Sequence, residues 1–473
     1  MKQQNEVNVW SVTWGVLMAV LFSAAAAYLG LKVGQVFEAA IPIAIIAVGV
    51  STAAKRNNAL RENVIIQSIG ACSGAVVAGA IFTLPAIYIL QAKYPEMEAD
   101  FLKIFIASLL GGVLGILFLI PFRKYFVEAP AEQFPFPEAT ATTQVLKSGE
   151  KGGSQARPLL LAGLIGGLYD FIVATFGWWN ENVTSRMIPF GSDLADRAKL
   201  VFKNNTGAAV LGLGYIIGFR YALIITLGSL FVWWLVVPGM ALLFPTEVLN
   251  QWNPAITTAV GAMSPEEIFT SYGKSIGIGA IAMAGIIGII KSRDIIIGAV
   301  KRMKPTAKTT DIEPTTEQKN DADLPLRFIA IASIATLLIT FIFFWFGVMG
   351  GKLLFAVVAI LLTAIIAFLF TTVAANAIAI VGSNPVSGMT LMTLILASVV
   401  MVAVGLSGTG GMVAALIMGG VVCTALSMAG SFITDLKIGH WTGTQPRKQE
   451  TWKFLGTLVS AATVGGVMML LNE

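Results

Sequence analysis

Residues 371–390 read TTVAANAIAIVGSNPVSGMT. The stretch carries no charge, yet Thr, Asn, Ser, Gly and Pro crowd it, and strongly apolar runs, 353–370 and 391–406, flank it. Its core, Gly382-Ser383-Asn384-Pro385-Val386-Ser387-Gly388-Met389-Thr390, cannot continue a helix. Pro385 lacks an N–H and steers Asn384 away from the helical region, and glycines stand on both sides. In lipid, each backbone group freed there costs several kcal/mol unless it is satisfied internally. A break at membrane depth is therefore expected where protein buries it or where it lines a watery cavity, and transporters bind substrate at such breaks. The competing reading is a polar loop at the membrane surface. The other loops of this chain carry charges and this one has none, which favours a broken or re-entrant segment.

Working outward, the chain has 473 residues, 56% hydrophobic and 12% charged, with mean hydropathy +0.80. That is the composition of a membrane bundle rather than of a soluble domain. Apolar runs read as spans at 9–29, 36–54, 64–90, 101–120, 159–179, 206–219, 222–244, 275–290, 328–347, 353–370, 389–406, 412–431 and 452–471. The expected fold is all-α: a polytopic membrane protein of about 13 transmembrane helices with broken or re-entrant segments. Two runs, 206–219 and 275–290, are short for a hydrocarbon core of ~30 Å at ~1.5 Å per residue. The first run ends in SAAAAYLG, like a signal peptide, but its weakly charged start and the many later spans make it an uncleaved helix.

The net charge of +5 does not call for nucleic acid, because the excess Lys and Arg of a polytopic protein collects in cytoplasmic loops. With the N-terminus inside, one face gathers Lys55, Arg56, Arg61, Arg123, Lys124, Lys147, Lys151, Arg157, the segment 291–327, Lys437, Arg447, Lys448 and Lys453. The expected location is the plasma or cell inner membrane, multi-pass, with a cytoplasmic N-terminus. Cys72 and Cys423 fall in apolar runs and read as small core residues, and a lone His440 excludes a His-rich metal site.

Residues 301–325, KRMKPTAKTTDIEPTTEQKNDADLP, have no apolar face and read as a flexible linker. The expected organisation is an N-terminal bundle over 1–300, a cytoplasmic linker over 301–326 and a C-terminal bundle over 327–473. Residues 22–29 (FSAAAAYL) echo 362–369 (LTAIIAFL), which suggests an internal repeat. If the halves are repeats, five spans after the linker against eight before it leave the chain short at its C-terminus.

Ionisable and polar groups near the spans mark candidate chemistry, since burying them is costly unless something uses or pairs them. Glu38 opens the second run; it suits a helix start or a titratable group facing the pathway. Glu62 and Asn63 open the third, where they could cap the helix, with Gln67 one turn deeper facing a polar pocket. Glu138 follows two prolines in FPFPEATA and fits a helix N-terminus. Asp170 falls mid-run at 159–179, where a carboxylate faces the bundle interior. Tyr215 and Arg220 end the Gly-spaced run GLGYIIGFR; Arg220 could snorkel to the interface or hold a substrate carboxylate. Asp435 and Lys437, in TDLKIGHWTG, read as interfacial. No GxxxxGK[ST], HExxH, CxxC or Ser-His-Asp arrangement occurs, so the chain carries neither an ATPase nor a recognisable enzyme.

Several of these pieces together resemble the oligopeptide transporter (OPT) family, in its prokaryotic and yellow stripe-like branch. They are AYLGLKVG at 27–34, Glu62-Asn63, FTLPAIY at 82–88, FPEATA at 136–141, GYIIGFR at 214–220, SNPVSGMT at 383–390 and DLKIG at 435–439. Each is weak alone; their order, spread over nearly the whole chain, is specific. The resemblance implies a secondary transporter, not an enzyme, that imports oligopeptides or chelated metals and is typically driven by the proton gradient. The substrate-diagnostic pieces of the eukaryotic peptide branch are not recognisable, which leaves peptide against metal chelate (siderophore-like or amino-acid-derived iron complexes) open.

The residues expected to hold substrate are Asn384, Ser383, Ser387, Thr390, Asn63, Gln67, Tyr215 and Arg220. Those expected to couple protons are Asp170, Glu38, Glu62 and Glu138. The expected partners are the lipid bilayer and a small peptide or chelate, with no nucleic acid, no protein-bound metal and no cofactor beyond the proton gradient. A channel or a non-transporting membrane receptor is the rival of another class.

Overall fold

The computed structural model describes residues 6–33, 36, 39–56, 59–95, 97, 100–128, 134–149, 156–217, 219–245, 247–248, 258–291, 322–382, 384 and 386–472. Nearly all of them are helical, and eight helices are long and apolar enough to cross a membrane, with shorter apolar helices at Ala40–Ala53, Leu161–Val173 and Gly388–Val404. The all-α polytopic class expected from composition is what the chain adopts. The chain divides into two compact units, one of residues 1–157 and 284–473, the other of 158–283. The linker expected at 301–326 lies mostly outside the described residues, as does Glu38.

The larger unit begins with α1 (Val9–Val33), α2 (Ala40–Ala53), α3 (Leu60–Gly70), α4 (Cys72–Ile81), α5 (Pro85–Gln91), α6 (Phe101–Leu119), α7 (Arg123–Val127) and α8 (Pro137–Ser148). The run expected as one span over 64–90 falls within one of the eight, Leu60–Gln91, which short turns subdivide into α3, α4 and α5. The last break has a local cause: Pro85 opens α5 and supplies no N–H to the turn before it. The unit's later helices are α16 (Leu326–Ile342), α17 (Leu353–Val381), α18 (Val386–Val404), α19 (Gly408–Thr442) and α20 (Pro446–Asn472).

α19 is the axis of this unit. Nearly every residue from Ala414 to Gly439 is buried, and α4, α6, α17 and α18 pack around it. Glycines let the backbones approach. A Cβ on Gly115 or Gly111 of α6 would sit 2.2 Å from Ala425 O or 2.3 Å from Val421 O, and one on Gly79 of α4 would lie 2.2 Å from Thr424 Cα. Lipid offers helices no hydrophobic drive to associate, so such close small-residue packing is a main source of their cohesion.

The second unit holds the C-terminal part of α9 (Ala156–Phe176), then α10 (Pro189–Ala198), α11 (Ala208–Ile217), α12 (Phe219–Leu230), α13 (Val237–Leu243), α14 (Pro265–Ile268) and the start of α15 (Lys274–Lys291). A two-stranded antiparallel ribbon joins β1 (Asn182–Thr184) to β2 (Lys203–Asn205). Phe231–Val236 and Phe269–Gly273 form wide π-type turns.

Candidate functional site

The break expected after residue 370 is narrower than the sequence suggested. Thr371 to Val381 complete α17 without interruption, and α18 resumes at Val386. Residues 371–380 stay helical, and Thr371 and Thr372 satisfy their hydroxyls on carbonyls of the preceding turn, Ala367 O and Leu369 O, both at 2.7 Å. Gly382 ends α17 in the left-handed region, φ +76, with its N–H on Ile378 O at 2.9 Å. Glycine alone adopts this conformation without strain, and a Cβ there would stand 2.4 Å from Pro137 Cγ.

Pro137 is the first residue of α8, and the preceding Phe136 is itself left-handed, φ 44. Phe136 donates its N–H to Ala379 O at 2.9 Å, so the FPFPEATA loop caps an end carbonyl of α17. The amide of Glu138 comes within 3.4 Å of the Cβ position of Gly382. The C-terminal end of α17 therefore meets the N-terminal end of α8, with the start of α18 four residues along the chain. Partial negative and partial positive charge lie side by side there.

Asn384 bridges this junction to α19. Its Nδ2 donates to Ser427 O at 3.0 Å, and Gly430 leaves it room, since a Cβ there would fall 2.7 Å from that same Nδ2. Asn384 Oδ1 is shielded from solvent and has no hydrogen-bond partner among the described residues, and the same holds for Ser427 Oγ. Thr390 is buried in the opening turns of α18, and Glu138 in the first turn of α8. Ser383 and the side chain of Ser387 lie outside the described residues.

The other expected site residues divide. Asn63 is buried and accepts from Ser51 Oγ at 2.6 Å. Glu62 is engaged by two side chains. It holds Arg56 through two contacts, 2.6 and 2.7 Å, and accepts from Asn8 Nδ2 at 2.7 Å, a clasp at the helix entrance favoured by the partial positive charge there. Asp170 is half-buried rather than sealed in the bundle. Its Oδ1 accepts from Ala208 N at 2.7 Å and so satisfies a free N–H at the start of α11. Tyr215 and Arg220 belong to the second unit, where both are exposed.

The largest correction concerns Asp435 and Lys437, expected at the interface. Both are buried inside α19. Asp435 is ion-paired with Lys453 of α20, and its Oδ1 accepts from Gln67 Nε2 of α3 at 2.7 Å. Lys453 Nζ also donates to Ser68 O at 2.9 Å. Lys437 donates to Val127 O at 2.7 Å and lies over the rings of Phe136 and Trp441, at 5.4 and 5.1 Å. Gln67, expected to line a polar pocket, is thus drawn into a network with Asp435. A Lys eighteen residues beyond Asp435, in the next helix, carries no sequence signal of that pairing. The one available hint was that TDLKIGH follows a long run of small and apolar residues without a turn signal.

The family model described as "OPT oligopeptide transporter protein" matches residues 6–473 of this chain. A Haemophilus influenzae (strain ATCC 51907 / DSM 11121 / KW20 / Rd) protein named "Putative oligopeptide transporter" is 25% identical over 472 residues, covering 94% of this chain and 69% of its own length.

Proposed function

Since the chain belongs to the OPT oligopeptide transporter family, we propose that it imports oligopeptides as a secondary transporter coupled to the proton gradient, with the peptide backbone bound at the α17–α18 break. It is a multi-pass membrane protein rather than an enzyme, so the work to be explained is recognition and movement. We place it in the plasma or cell inner membrane with its N-terminus in the cytoplasm, on the loop charges alone. The observation that carries the binding site is Asn384: one end of its carboxamide is fixed on Ser427 O, and the other is a shielded acceptor with no hydrogen-bond partner among the described residues.

Peptides of different sequence share amide donors, carbonyl acceptors and two terminal charges. A site that serves many of them binds those groups and holds side chains loosely. Asn384 Oδ1 would accept a backbone N–H. The N-terminal end of α8 favours a carboxylate and the C-terminal end of α17 favours an amine. Gly382 and Gly430 let Pro137 and Asn384 pack close at the junction and so fix the geometry in which that carboxamide is presented.

Counterflow tests this reading. Purified protein in liposomes preloaded with unlabelled tri- to pentapeptides of alanine should take up labelled peptide at trace concentration, while a labelled ferric chelate under the same conditions should not exchange. Exchange of the chelate without exchange of peptide would assign the site to metal complexes and overturn the peptide reading. Uptake that never saturates would indicate a channel.

A further inference from the structure

Among the described residues, six Asp, Glu, Lys and Arg side chains of the larger unit are buried to 3% exposure or less: Glu6, Arg123, Asp435, Lys437, Glu450 and Lys453. Three of them engage the loops and helix ends around them. Glu6 accepts from Arg61, at 3.3 Å, and faces Lys448 at 3.5 Å. Arg123 is ion-paired with Asp323, and Glu450 accepts from Leu324 N at 2.7 Å. Lys437 has a backbone carbonyl and two aromatic faces. Asp435 and Lys453 differ from these. Both are sealed, and each neutralises the other across the contact between two long helices, α19 and α20.

We propose that the Asp435–Lys453 pair is the proton-binding site of the transport cycle. The proposal rests on the proton-coupled reading above and assigns it to residues other than the carboxylates the sequence suggested. Paired, the two charges cancel and their hydrogen bonds are met by Gln67 Nε2 and Ser68 O. Any movement that parts α20 from α19 leaves an unpaired carboxylate and an unpaired ammonium, which a low-dielectric interior strongly disfavours. A proton taken from the aqueous phase onto Asp435 turns it into a neutral acid and leaves one unpaired charge instead of two. Lys453 stays charged and keeps Ser68 O as its acceptor. When the helices close again the proton leaves to the opposite phase and the pair re-forms, so one proton crosses and none is consumed.

The titratable groups that face Asp435 are Lys453 from α20 and the Cys72 thiol from α4; Gln67 and Ser68 from α3 are neutral. Lys437, on the same helix, is held at Val127 O, and Glu450, one turn before Lys453, at Leu324 N. The link to substrate is direct. Ser427 O, which anchors Asn384, lies eight residues before Asp435 on the same helix, about 12 Å at the ~1.5 Å rise of an α-helix. A shift of α19 at the break is therefore a shift at the pair.

The test compares wild type with the charge-free double variant Asp435→Asn/Lys453→Gln, purified at full length into liposomes, with labelled tri- to pentapeptides of alanine. The double variant should exchange peptide in counterflow at close to the wild-type rate. It should fail to accumulate peptide when the lumen is made alkaline, with the internal concentration rising only to the external one. Retained gradient-driven accumulation would overturn the proposal, and so would loss of exchange together with accumulation, since the pair would then be structural. A second measurement needs no variant. Peptide binding to detergent-purified wild type in weak buffer should move protons between protein and medium, and its affinity should depend on pH. No proton movement and a pH-independent affinity would overturn the proposal even if the double variant does not fold. Wild type that exchanges none of these peptides would instead sink the transport reading, and the role of the pair with it.

Discussion

Asn384 is the residue on which the binding account turns. Losing one hydrogen bond costs ~0.5–1.5 kcal/mol, and up to ~3 kcal/mol when the partner is charged. Asn384→Ala should therefore weaken apparent peptide affinity by roughly 2- to 100-fold, at ~1.4 kcal/mol per decade. Protein abundance in the membrane should stay near wild type, because the side chain's bond to Ser427 O joins helices already packed together along their length. Affinity and thermal stability measured on the same purified variant check this. Unchanged affinity with lowered stability would make Asn384 a helix-end cap only. Glycine 382 shows the opposite kind of constraint: its φ of +76 and its contact with Pro137 bear on the fold of the junction, not on what the junction binds.

At the scale of elements, the break and the helix seams make separate predictions. A single cysteine at Ser387 should react slowly with aqueous thiol reagents and be protected by saturating peptide, since a broken segment between apolar helices opens to a cavity and not to bulk water. The native Cys72 and Cys423 are buried and free, so they should add little background. Rapid labelling that peptide does not alter would identify an ordinary surface loop. The seams are tested by Gly115→Ala. The added Cβ meets a backbone carbonyl of α19 at 2.2 Å, which no side-chain rotation relieves, and overpacking of this kind costs ~1–3 kcal/mol. The thermal midpoint of that variant should fall, while Gly163→Ala on α9, with nothing within 4 Å, should leave it unchanged. Equal midpoints would contradict the tight α6–α19 contact.

For the whole molecule, the class and most of the helices were legible because hydropathy over a span-length window is the strongest signal a sequence carries. The break was legible too, through Pro385 and the glycines, but its width was not. Thr371 and Thr372 look like loop residues in sequence, yet they continue the helix with their hydroxyls satisfied on its own carbonyls. Side-chain roles were least legible where pairing is long-range. Asp170 reads as a costly buried carboxylate, yet it satisfies the start of a neighbouring helix. Asp435 reads as interfacial, yet Lys453 and Gln67 seal it inside. Orientation depends on loop charges alone: a reporter fused at residue 308 should be active only on the cytoplasmic side, and activity only outside would reverse the topology.

The transport claim is tested most directly by accumulation. Liposomes holding the purified chain, alkaline inside and acidic outside, should concentrate labelled tri- to pentapeptides of alanine above the external level. A protonophore that dissipates the gradient should return the internal level to the external one. Peptide that never rises above the external concentration, or accumulation that survives the protonophore, would contradict the account.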